Sequence, residues 1–194
     1  METVELYLHN LVPYGILTLL TGVILFLMLL NLIFRGFKAP LVRAIFLFCI
    51  CLVVWLLSGG FMIISPQYAI AYPLGRSFYL GWVFIPVAFL NVAYVYIGKR
   101  EKYLFAFFGA AIIFAVMALW GRIYEVQYNY FGFYPKLIYP WNIIINTYYF
   151  TAVGYALGLI YVEYQQAAVS ARKNQARFLW IGTSIGFMLS ISET

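Results

Sequence analysis

The chain has 194 residues, 65% of them hydrophobic and 9% charged, with a mean hydropathy of +0.92. Ordinary soluble domains carry roughly a quarter charged residues, so this chain has too few charges to coat a water-facing surface. The net charge of +6 is no nucleic-acid signal either, because the basic residues stand at the ends of apolar runs instead of forming a patch.

The N-terminus, METVELYLHN, is acidic, unlike the basic start of a secretory signal. The first apolar run, 11–34, is longer than a signal core and matches the roughly 20 residues that cross a hydrocarbon layer. Pro13 is expected at the start of this helix, where its missing N–H costs little. RGFKAPLVR ends the run. The second run, 44–64, contains Trp55, Gly59 and Gly60, and its thiols, Cys49 and Cys51, read as small buried apolar groups. C-x-C in an apolar helix is neither a metal-site nor a disulfide spacing.

SPQYAIAYPLGR, with Pro66 and Pro73 as breakers, reads as a connection to a third run, 77–97. That run carries Pro86 at mid-membrane and ends at GKREK. The fourth run, 103–120, is uniformly apolar. The fifth covers 141–162, and a sixth, 178–192, is too short to span. The expected fold is therefore an all-α polytopic transmembrane helix bundle forming a single domain over 1–194. It has five full spans and a partial sixth, as if the chain were cut within that helix.

Charge sets the orientation. Arg35, Lys38, Arg43, Lys99, Arg100, Lys102, Arg172, Lys173 and Arg177 lie on alternate connections, against Arg76, Arg122 and Lys136 on the others. Nine against three places the nine in the cytoplasm and the N-terminus outside.

Trp120–Trp141, WGRIYEVQYNYFGFYPKLIYPW, is the wet aromatic break in an otherwise oily chain. Trp120 and Trp141 read as interface anchors. The interior is too large and aromatic for a flexible loop, and is expected to fold as a lid capping helices four and five. Arg122 and Glu125 are expected to pair. Tyr128, Tyr130 and Tyr134 are expected to rim a cleft for an apolar or amphipathic small molecule. In the fifth helix, Asn142 and Asn146 share a face, with Thr147 and Thr151 beside them. These groups read either as interhelical hydrogen bonds or as the polar wall of that cleft. Gly154 with Gly158, and Gly182 with Gly186, stand at close-packing spacing, with tight intramolecular packing the expected use.

The stretch 167–177, AAVSARKNQAR, is expected to continue the fifth helix and bend into the sixth. Arg172, Lys173 and Arg177 would touch membrane lipids, and Arg172, Gln175 and Arg177 would form a signal linker. Catalysis has little to stand on. His9 is the only histidine, and the glutamates lie at or beyond helix ends. No catalytic, metal or cofactor motif is present. Pro86 has no counterpart in the other half, as a transporter built on paired broken helices would need.

The pattern resembles the N-terminal seven-helix region in front of bacterial sensor histidine kinases and related signalling proteins. The residues carrying the likeness are Trp55, then Pro86, Phe89, Gly98 and Arg100 in PVAFLNVAYVYIGKR, and ARKNQARFLWIG with Gly182. The resemblance implies a sensory module in the cytoplasmic membrane of a prokaryote, likewise a homodimer. An outside or in-membrane stimulus would act on a kinase-type output domain beyond Thr194; the resemblance carries nothing over about the stimulus, which the aromatic segment suggests is a small molecule or lipid-like compound. This chain would not itself be an enzyme. A small-molecule transporter or channel subunit, and a ligand-free scaffold, are the alternatives.

Overall fold

The computed structural model describes residues 2–36, 38–98, 103–129, 132–167 and 170–191; the side chains of 2–12, 35, 129, 170–172 and 185–191 lie outside the description. Among the described residues six helices form, in the order α1 (Glu2–Arg35), α2 (Pro40–Ile63), α3 (Tyr68–Ile97), α4 (Tyr103–Leu119), α5 (Trp141–Gln166) and α6 (Ser170–Ile191). Between α4 and α5 stand two strands, β1 (Tyr124–Asn129) and β2 (Gly132–Leu137). The fold is all-α but for this hairpin.

Four helices are long and apolar enough to cross a membrane: Pro13–Phe34 within α1, then α2, α3 and α5. The apolar α4 has 17 residues, about 26 Å at 1.5 Å per residue, just short of a hydrocarbon core. In α6 the polar opening SARKNQAR dilutes the apolar residues that follow. Large apolar side chains point away from the bundle throughout, Leu17 at 64% exposure, Ile113 at 60% and Phe105 at 81%. Apolar surface this extensive is stable only against lipid or another protein.

Several boundaries differ from the sequence reading. Pro13 lies inside α1, not at its start. The connection expected over 65–76 shrinks to the residues between Ile63 and Tyr68, and Pro73 sits inside α3. A proline removes one ladder bond, but dissolving two helical turns at a membrane surface would release many more. Pro86 likewise leaves α3 unbroken. Gly98, at φ 79°, closes α3 in a left-handed cap, its N–H donating to the Tyr94 carbonyl at 2.9 Å. The polar stretch does not continue α5. Ala167 is extended, and 170–177 form the opening turns of a separate α6.

Helix α3 is the hub. α1 packs on α2, α2 on α3, α4 and α5 both on α3, and α6 on α5. Glycines set the closest approach. A Cβ at Gly81 would stand 2.6 Å from the Trp55 N and 2.8 Å from the Cys51 O, so the backbones of α2 and α3 nearly touch. The indole Nε1 of Trp55 is buried at this crossing without a partner. Cys49 is half-buried, Cys51 is buried, and both are free thiols. Between α5 and α3, the buried Tyr148 hydroxyl donates to the Val83 carbonyl at 3.0 Å, and Tyr149 stacks on Trp82 at 5.2 Å. By contrast, Gly154, Gly158 and Gly182 have open space where a Cβ would stand, so the expected tight packing is not made at these glycines among the described residues; the side-chain position of Gly186 lies outside the description.

Candidate functional site

The aromatic break folds as an antiparallel hairpin in the register Tyr124↔Leu137, Glu125↔Lys136, Val126↔Pro135, Gln127↔Tyr134 and Tyr128↔Phe133. Strand alternation explains which side chains go in. Tyr124 and Val126 are buried beneath β1, while Glu125 between them is exposed.

The seat differs from the expected one. The hairpin lies over the end of α2 and the start of α3, rather than capping α4 and α5. Gly132, at φ 105°, rests on the carbonyl of Ile63, and a Cβ there would collide with that backbone. The Tyr124 hydroxyl donates to the Tyr72 carbonyl at 3.4 Å, and the Tyr79 hydroxyl donates to Pro135 in β2 at 3.3 Å. The rings continue the contact. Tyr124 lies 4.8 Å from Tyr79 and 6.1 Å from Tyr72, and Phe133 lies 6.2 Å from Tyr68. Burial is the main cause that pushes the Tyr124 phenol up to about 12; neighbouring Tyr72 adds to this and Arg76 opposes it.

The expected site residues fall in two groups. On the hairpin, Arg122 and Glu125 are exposed. The Glu125 carboxylate accepts from the Gln127 amide and stands opposite Lys136 in the register, while Arg122 precedes β1, so the i, i+3 geometry of a helix does not join the two. Tyr128 is exposed and edges onto Phe133 at 4.9 Å. The Tyr134 hydroxyl donates to Gln127 Oε1 at 2.9 Å. Tyr130 lies outside the described residues.

On α5, Asn142 and Asn146 are half-buried. Asn142 turns back on its own helix, its Oδ1 accepting from the Ile143 N–H at 2.9 Å. Thr147 and Thr151 do the same, donating to the Ile143 and Thr147 carbonyls at 2.7 Å each. These threonines are exposed and satisfied within the helix, so neither an interhelical bond nor a cleft wall is needed to explain them. In the linker, Gln175 and Arg177 are exposed on α6, the Arg172 side chain lies outside the description, and Lys173 sits over the Tyr164 ring at 5.4 Å.

The sequence reading missed Tyr68, Tyr72, Arg76 and Tyr79. Spacings of four, four and three put them on one face of a helix. That pattern was available, but it fell in a stretch assigned to a connection because of its prolines. An open apolar hollow of about 370 Å³ lies at the nearby turn, lined by Phe61, Ile64, Ser65, Pro66, Ile70 and Leu74. No group of three or more potential metal-ligating side chains gathers among the described residues. Comparison of the chain with known protein families, curated proteins and solved structures finds no match.

Proposed function

We propose that the chain is a membrane-embedded input module of a signalling protein, coupling an outside or intramembrane stimulus to a cytoplasmic kinase-type output domain. In this reading five helices span the inner membrane of a prokaryote and a sixth does so in part. The N-terminus and the hairpin lie outside, the basic turns lie inside, and the module works as a homodimer. The observation that supports it is the seat of the hairpin on α3, the helix that also touches α2, α4 and α5. A stimulus held at Arg122, Glu125, Tyr128, Tyr130, Tyr134, Asn142 and Asn146 would bear on that hub. From α3 the shift passes to α5, and from α5 to Arg172, Gln175 and Arg177 on α6. A stimulus moves such an equilibrium only by its difference in affinity between two states.

The test is to loosen the hairpin and watch the far end. Spin labels near Lys38 and Lys173, in protein reconstituted into liposomes, report the distance between the α1–α2 turn and α6. Combined Tyr79→Phe and Tyr124→Phe substitution is expected to shift or broaden that distance. An unchanged distribution, with the hairpin shown to be loosened, would sink the relay. Solute flux in the same liposomes would instead favour a transporter or channel.

A further inference from the structure

We propose that Arg76 is the recognition point of an oxyanion site beneath the hairpin, taking a phosphate presented at the membrane surface by a lipid headgroup or free in solution. Depth is the first argument. α3 has 30 residues, whereas a hydrocarbon core takes about 20. Counted back from Ile97 and its Gly98 cap, the core ends near Phe78, which leaves Arg76 at the level of the headgroups.

The second argument is the company Arg76 keeps. Its guanidinium carbon lies 5.0 Å from the centre of the Tyr72 ring, beside the phenols of Tyr72 and Tyr124. Phenols supply a π-face and hydroxyl lone pairs, but they do not neutralise a cation. The Nε atom is buried and makes no hydrogen bond. The Tyr72 and Tyr124 phenols serve the rest of the guanidinium, but the covered Nε–H is left without an acceptor, which costs the desolvation of that donor. An oxyanion on the Nε–Nη edge supplies that acceptor, because the guanidinium fork matches two oxygens of a phosphate.

The surroundings fit. Arg76 is only half-buried, so part of the side chain is open. Gly121 rests against the Tyr72 hydroxyl, so the turn that leads into the hairpin borders the same tyrosine. Because Nε is covered, an oxyanion reaching it shifts a neighbouring ring. The contact of Tyr72 with Tyr124 ties that shift to the hairpin. The site stands whether or not the chain signals.

Full-length protein in a phosphate-free maltoside detergent is titrated separately with inorganic phosphate and with short-chain phosphatidylglycerol. Near-UV circular dichroism reads the tyrosines, and native mass spectrometry reads retained lipid. Saturable binding of at least one probe is expected, weakened about tenfold or more by Arg76→Gln and unchanged by Lys136→Gln, which removes an exposed charge from the hairpin. Arg76→Lys keeps charge and bulk but not the fork; it is expected to weaken binding as well, with far-UV circular dichroism retained. Response to phosphatidylglycerol alone identifies a lipid source, and response to inorganic phosphate identifies a free anion. Binding of neither probe to the unaltered chain, or equal binding to the Arg76→Gln or Arg76→Lys protein, overturns the proposal.

Discussion

The hydroxyl of Tyr79 in α3 donates to the carbonyl of Pro135 in β2 at 3.3 Å. It ties the hub helix to the far strand of the hairpin, and Tyr79 is itself buried against Tyr124. Tyr79→Phe keeps the ring and removes the bond. A net hydrogen bond is worth about 1 kcal/mol, and the Pro135 carbonyl loses its donor. Amides of β2 are therefore expected to exchange about fivefold faster with solvent, since 1.4 kcal/mol is tenfold. Unchanged exchange would mean that packing alone holds the strand.

Glycines divide the bundle in two. Gly81 lies against the backbone of Cys51 and Trp55, where nothing flexible can yield. Gly81→Ala must push α2 from α3, and is expected to cost about 1–3 kcal/mol, as overpacking does. At Gly154 and Gly158 a methyl group meets open space. Alanine there is expected to be neutral or stabilising by up to about 1 kcal/mol through helix propensity. Thermal unfolding of the three variants in one detergent checks the contrast. A Gly154→Ala protein as unstable as Gly81→Ala would show that α5 packs against something beyond this chain.

The division between what could be read from sequence and what could not follows the same chemistry. The helices were legible wherever apolar residues run unbroken, as in 103–120, which differs from α4 only at its last residue. The starts of α1 and α3 are where the sequence misleads, because Pro13 and Pro73 lie inside those helices. Pro73 reads as a breaker in the sequence, yet in α3 it removes one backbone bond from a helix that its neighbours at the membrane surface sustain. That misreading hid Tyr68, Tyr72 and Arg76, whose common face exists only if the stretch is helical. The hairpin was masked differently. YEVQYN alternates at its start and Gly132 sits beside the turn, but aromatic residues on both faces of the strands blur the period of two. Its seat on α2 and α3 depends on contacts between residues some 50 positions apart, such as Tyr72 with Tyr124, which no local pattern reports.

The Tyr124 phenol gives a pH signature. An unfolded tyrosine titrates near 10, and burial raises this one to about 12. The folded state therefore holds its proton where the unfolded state has lost it. The associated stability is complete below about pH 10 and is lost as pH rises toward about 12. Tyr124→Phe cannot ionise, so its melting temperature is expected to fall less than that of the unaltered chain between about pH 9 and about pH 11. Parallel curves would place the Tyr124 hydroxyl in water.

The hairpin and the α1–α2 turn stand at opposite ends of α2, because Gly132 rests on Ile63 at its C-terminus while Pro40 opens its first turn. With a membrane between these ends, a cysteine at Lys136 and one at Lys38 face different compartments; both residues are exposed. Cys49 and Cys51, one half-buried and one buried, are first replaced by alanine to clear the background. In intact cells an impermeant maleimide is expected to label the Lys136→Cys protein, and to reach Lys38→Cys or Lys173→Cys only after permeabilisation. The reverse pattern would invert the orientation drawn from the basic turns. Labelling of both ends in intact cells would overturn the spanning arrangement, and with it the placement of Arg76 at a headgroup surface.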